Sequence, residues 1–112
     1  MILDAIADVR TGDKGDDLII AVLPRVAADD QAGDTDGRAV DVYDRVVRAV
    51  TEERVATHYG LPAGTVNRTL MPTVSALVLH LRGVLGGGVT GSSYLDGHGK
   101  TMGYHLLTLP VE

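Results

Sequence analysis

The stretch Arg10-Thr11-Gly12-Asp13-Lys14-Gly15-Asp16-Asp17, followed at once by Leu18-Ile19-Ile20-Ala21-Val22-Leu23, constrains the fold more than any other segment. Glycines and charges in that density cannot form a core, whereas the uninterrupted apolar run, stopped by Pro24, reads as a buried strand. A polar loop is therefore expected at a sheet edge, where backbone N–H groups and Lys14 can meet an anion. Two further glycine clusters, Gly86-Gly87-Gly88 and Asp96-Gly97-His98-Gly99-Lys100, repeat the pattern. Together they point to a working surface without naming a reaction.

A chain of 112 residues allows one domain, 1–112, and a folded object of this size buries roughly two-thirds of the surface its unfolded chain exposes. With no Phe, no Trp and 4 Tyr, the core must be aliphatic and aromatic stacking on bases is scarce. A net charge of −5 and a pI near 5.2 likewise argue against nucleic acid, which calls for a basic face. The absence of cysteine removes disulfides, thiolate zinc sites, cysteine nucleophiles and cysteine-ligated iron–sulfur clusters, and fits the cytoplasm. Asp4 and Asp8 interrupt residues 1–9, so no signal peptide is evident, and no apolar run approaches the ~20 residues of a membrane span.

Along the chain, residues 2–9 alternate in part and suggest a first strand that ends at the charged loop; residues 18–23 form the second. Residues 27–38, with Asp29, Asp30, Asp34 and Asp36, read as a mobile acidic loop without the fixed ligand spacing of an EF-hand. Asp41 is placed to cap a helix carrying Val42, Val46, Val47 and Val50, and Thr51 to cap the next. In that second helix Glu52 and Glu53 occupy the first turn, Val55, Ala56 and Tyr59 form the apolar stripe, and Gly60 and Pro62 end it. Residues 65–71 alternate as a third strand closed by Pro72. The spacing of Val74, Leu77, Val78, Leu81 and Leu85 predicts a helix over 73–85 with Arg82 in its last turn. Residues 92–95 and 101–109 read as a hairpin. The sum is a two-layer α+β fold, a mostly antiparallel sheet with two to three helices on one face.

Lys14 follows a glycine and an aspartate rather than the Gly-x4-Gly-Lys-Ser/Thr of a phosphate-binding P-loop, so ATP hydrolysis is not indicated. No Gly-x-Ser-x-Gly frames a serine nucleophile. His58, His80, His98 and His105 show no close zinc-ligand spacing, and His80 on its expected helix and His105 on its expected strand read as packing or interface residues. Asp13, Asp96 and His98 remain as acid–base groups, with Lys14 and Lys100 able to neutralise an enolate or a phosphate.

Three motifs in order, residues 10–16, Leu81-Arg82-Gly83-Val84-Leu85-Gly86-Gly87-Gly88-Val89-Thr90 and Leu95-Asp96-Gly97-His98-Gly99-Lys100, resemble the C-terminal domain of the acyclic terpene utilisation protein AtuA and its relatives. Thr51-Glu52-Glu53-Arg54-Val55 and Met71-Pro72 resemble the middle of that domain. Thr11, Asp16 and Gly91 depart from it, standing where Ser, Asn and a larger or basic residue are common. The resemblance implies a ferredoxin-like fold in shape only, without a cluster. It further implies a small subunit of a two-component enzyme acting on acyl-CoA thioesters, by hydration, dehydration or a related lyase reaction, with a large AtuA-type subunit as partner. No cofactor or metal is implied beyond the coenzyme A of the substrate. On this reading Asp13, Lys14 and Asp96 are the catalytic candidates. Gly12, Gly15, Arg82, Gly86, Gly87, Gly88, Thr90, His98 and Lys100 are the ligand- or partner-facing ones. The alternative is a non-catalytic module that stabilises a large subunit or forms a homo-oligomer.

Overall fold

The computed structural model describes residues 1–25, 35–84 and 102–111, with side chains throughout except over 35–40. Four strands, β1 (Ala7–Lys14), β2 (Asp17–Pro24), β3 (Val66–Met71) and β4 (Ala76–Leu81), form one antiparallel sheet in the order β1-β2-β4-β3. Between β2 and β3 the chain makes two helices, α1 (Thr35–Ala49) and α2 (Glu52–Tyr59). A short helical turn over 102–106 follows near the C-terminus.

Alternation along the central strands assigns the two sheet faces. Leu18, Ile20 and Val22 of β2 pair with Leu81, Leu79 and Leu77 of β4, and all six are buried. Val46 and Ala49 of α1, Val50 just beyond it, and Val55 and Ala56 of α2 join them in one aliphatic cluster. Leu106, Leu109 and Val111 complete it from the C-terminal segment, which is fastened to the N-terminus by Leu3 N–H to Leu109 O at 2.8 Å and Val111 N–H to Met1 O at 2.9 Å. The helical turn lies over β1: a Cβ placed on Gly103 would come within 2.7 Å of the Thr11 methyl, so the backbone approaches more closely than a side chain permits. The result is the expected two-layer α+β arrangement.

Helix α2 follows its sequence closely. Thr51 Oγ1 accepts the Arg54 N–H at 3.1 Å, Glu52 and Glu53 sit at the positive end, and Gly60 closes the helix at φ 70°. β3 likewise occupies its expected place. Four elements differ from expectation. Residues 73–85 do not form a helix: Pro72–Val74 make a single 3-10 turn, Ser75 takes a left-handed φ of 51°, and β4 then runs back between β2 and β3. Only His80 interrupts the apolar run from Ala76 to Leu81, so alternation is weak, and over so few residues the pattern also fits a helical stripe.

The first strand begins and ends later than expected, at 7 and 14, because Arg10 to Lys14 extend along the sheet edge, where exposed charges are tolerated and discourage edge-to-edge pairing. Residues 102–106 are helical, so no hairpin strand lies there and His105 is not on a strand. Helix α1 starts at Thr35, ahead of the expected Asp41 cap, so residues 35–38 of the expected acidic loop are helical, while residues 27–34 of it lie outside the described residues.

Candidate functional site

The expected polar loop is the end of a β-hairpin. Lys14 pairs with Asp17, leaving only Gly15 and Asp16 as the turn, and Gly15 adopts φ 62°, the positive value that glycine supplies at the first position of a tight hairpin. Asp13 and Lys14, adjacent on β1, therefore point to opposite faces of the sheet, Asp13 with the helical side and Lys14 with the open side. Both are exposed, and Gly12 lies beside Ile19 with open space around its Cα.

The same end of the sheet receives the exit of β4. Asp17 Oδ1 accepts the Gly83 N–H at 2.7 Å, and Asp17 Oδ2 takes the His80 Nε2 at 2.6 Å. The His80 hydrogen bond, reinforced by the Gly83 N–H and by the nearby Arg82 charge, holds the Asp17 carboxyl below its ordinary range. A carboxylate that grips one ring nitrogen fixes the imidazole's tautomer and orientation and leaves Nδ1 to exchange a proton. The pair is open to solvent, with side chains 40% exposed for His80 and 30% for Asp17. Arg82 is not in a helix; it follows β4 in a turn and its guanidinium donates to the Gly64 carbonyl.

Of the expected site residues, Gly12, Asp13, Lys14, Gly15 and Arg82 are thus located at or near one end of the sheet. Gly86, Gly87, Gly88, Thr90, Asp96, His98 and Lys100 lie outside the described residues. Asp17 and His80 were missed by sequence reasoning. Their pairing depends on β4 lying beside β2, and the helical reading of 73–85 hid it. Register alone, with His80 opposite Ile19 and one step diagonal to Asp17, reveals it.

His58 and His105, 47 positions apart in the chain, also come together. Their rings stack with centroids 4.3 Å apart at 19°. His58 Nε2 lies 2.8 Å from the His105 carbonyl and His105 Nε2 lies 3.2 Å from the His58 carbonyl. The reciprocal bonds tie α2 to the C-terminal turn, as does the Tyr59 hydroxyl, which donates to the Met102 carbonyl and whose ionisation burial pushes upward. With Nε2 of both rings committed to backbone, the arrangement is a fastener; no group of three or more metal-binding side chains occurs among the described residues.

A groove of about 760 Å³ runs between α2 and β3, walled by Glu52, Glu53, Thr57, Val66, Arg68 and Leu70. It holds none of the candidate residues. Two of its polar residues are structurally engaged: Glu52 Oε2 accepts the edge N–H of Arg68 at 2.8 Å, and the Arg68 guanidinium donates to Val47 O and Val50 O at the negative end of α1, both at 2.7 Å.

The family model of the AtuA ferredoxin-like domain matches residues 1–112. The chain belongs to that family. The antiparallel sheet with helices on one face is an α+β arrangement, consistent with the ferredoxin-like domain that the family description names. No curated protein and no solved structure matches the chain. No helix among the described residues is long and apolar enough to cross a membrane.

Proposed function

We propose that this AtuA ferredoxin-like chain serves as the small subunit of a two-component enzyme acting on acyl-CoA thioesters in a hydration, dehydration or related lyase reaction. A large AtuA-type chain supplies the remainder of the active site. The observation that carries the reading is the match of the AtuA ferredoxin-like domain to the whole of residues 1–112. The polar end of the sheet adds chemistry suited to such a role: Lys14 for a thioester oxygen or phosphate, and an Asp17-oriented His80 for proton exchange. Cytoplasmic placement belongs to the same proposal.

Co-expression with a large AtuA-type chain that lacks its own ferredoxin-like domain tests the assembly. The complex should co-purify and should turn over a panel of branched acyl-CoA thioesters only with both chains present. Lys14→Ala should reduce turnover of the intact complex, or its assembly, while leaving the melting temperature of this chain nearly unchanged, because an exposed lysine beside a turn contributes little packing. One observation favours the non-catalytic alternative: Asp13 and Lys14 face opposite sides of the sheet and cannot act on one atom within a single chain. Full turnover by the large chain alone, with this chain raising only its thermal stability, would establish that alternative.

A further inference from the structure

The geometry points to the open face of the sheet as a self-complementary surface that pairs with a second copy of this chain, Asp8 of each copy meeting Lys14 of the other. It rests on the sheet geometry alone, and because the dimer covers Lys14 and His80, a substrate or a large subunit at that end of the sheet would compete with the second copy. The face is formed by the residues that alternate with the core: Asp8, Arg10, Gly12 and Lys14 on β1; Asp17, Ile19, Ala21 and Leu23 on β2; Val78 and His80 on β4; Asn67, Thr69 and Met71 on β3. Ile19, Ala21, Leu23 and Val78 are half-buried and stand outside the core cluster, so the centre of the face is apolar and its β1 margin charged.

Register sets the residues in rows across the strands. Arg10, Ala21, Val78 and Thr69 form one row, and Gly12, Ile19, His80 and Asn67 form another. Between them runs the row of Thr11, Ile20, Leu79 and Arg68, which faces the helices. A two-fold axis lying between two such faces, crossing the strands above that middle row, superposes the first row of one copy on the second row of the other. These consequences follow together. Ala21 lies on Ile19, an apolar contact at the centre, while Val78 lies on His80 and Leu23 on Asp17, so apolar side chains cover the Asp17–His80 pair. Arg10 lies over Gly12, where no atom stands within 4 Å of a Cβ position. Asp8 and Lys14, the outer exposed charges of the β1 row, exchange opposite signs. The other in-plane axis, along the strands, sets the charged β1 margin against Asn67, Thr69 and Met71 and satisfies none of the charges. Aligned face-to-face packing of sheets about 10 Å apart accommodates the first arrangement.

An isologous contact of this kind makes each charge pair twice. Strand spacing and length give a footprint of roughly 400 Å² per chain, about 800 Å² in total and below the ~1,000 Å² that stable interfaces clear, so the dimer should be weak and populated only at high chain concentration.

The test is sedimentation equilibrium of wild-type chain, the Asp8→Lys and Lys14→Asp variants separately, and the two variants mixed. Each variant alone opposes like charges across the axis and should weaken dimerisation at least about tenfold. In the dimer of one variant with the other, opposite charges face each other again at both contacts, so the mixture should recover most of the wild-type affinity. Because Asp8 also binds the Arg25 guanidinium at 2.5 Å, the Asp8→Lys chain must first show a wild-type circular dichroism spectrum. Wild-type chain offers a second route free of substitution. Zero-length carbodiimide coupling of mixed light and heavy-isotope chains should give an Asp8–Lys14 peptide with one light and one heavy half. A wild-type chain that stays monomeric at several hundred micromolar overturns the proposal, as does a dimer unaffected by either variant or lacking the mixed-isotope peptide. Capture of a large AtuA-type chain that is lost with Ala21→Glu, from a small chain monomeric by itself, would assign the face to that chain instead and likewise overturn it.

Discussion

The two faces of β2 are made from neighbouring residues of nearly the same chemistry and meet different fates. Leu18, Ile20 and Val22 are sealed beneath the helices, whereas Ile19, Ala21 and Leu23, one step along the strand, are only half-buried. Composition does not distinguish the two sets; what sits above them does. On the covered side, tertiary packing fixes each side chain among aliphatic neighbours. On the other side the same strand carries half-buried apolar residues bordered by charge and by an aspartate–histidine pair.

Adjacent substitutions on β4 give the largest test of that contrast. Leu79→Ala should destabilise the chain by about 2–5 kcal/mol in urea denaturation, since its side chain is fully enclosed. Val78→Thr, one residue away on the open face, should change stability by less than about 1 kcal/mol. Equal losses would mean that the two faces are equally packed. Gly103→Ala comes next: its Cβ would fall 2.7 Å from the Thr11 methyl and should cost about 1–3 kcal/mol despite the better helix propensity of alanine. Thr11→Ser, which removes that methyl, should relieve part of the loss in the double variant, and purely additive effects would show that the approach is not tight. Thr51→Ala, by removing the cap of a helix in the covered layer, should cost about 1 kcal/mol, read as a lower urea midpoint at constant slope.

The smallest effect belongs to the open face and concerns Asp17. Its carboxyl is held below the ordinary 3.8 first by the His80 hydrogen bond. The stabilisation this represents is therefore present above that pH and is lost as pH falls through the lower folded value. Carbon-detected NMR titration should place the Asp17 midpoint below 3.8, and His80→Ala should move it upward. An unchanged midpoint would show that Gly83 alone holds the carboxylate.

How much of this was legible in the sequence depended on whether local signals agreed with tertiary placement. The Thr51 cap, the acids at 52 and 53 and the left-handed Gly60 all act within a few residues, so α2 was readable. β4 was not, because Leu77, Leu79 and Leu81 face the core while Val78 and His80 are half-covered, and six such residues satisfy helical and strand periods alike. β1 was cut short because charges at an edge strand look like loop. At the candidate site, the Gly15 turn and the exposed Lys14 could be anticipated, whereas the Asp17–His80 contact required knowing which strands are neighbours. Residues 63 positions apart in the chain carry no local mark of their meeting.

The insertion of β4 between β2 and β3 also sets a timetable. A hairpin with a two-residue turn can close as soon as Pro24 is made, yet the second edge of β2 cannot be paired until the chain has reached Leu81. Closing so long a loop adds a logarithmic entropic cost and places the sheet's central pairing late in folding. At ribosomal speeds of ~5–20 residues per second the wait lasts on the order of several seconds. Throughout it, one of the most apolar segments of the molecule offers a free hydrogen-bonding edge to whatever nascent chain or chaperone is nearby.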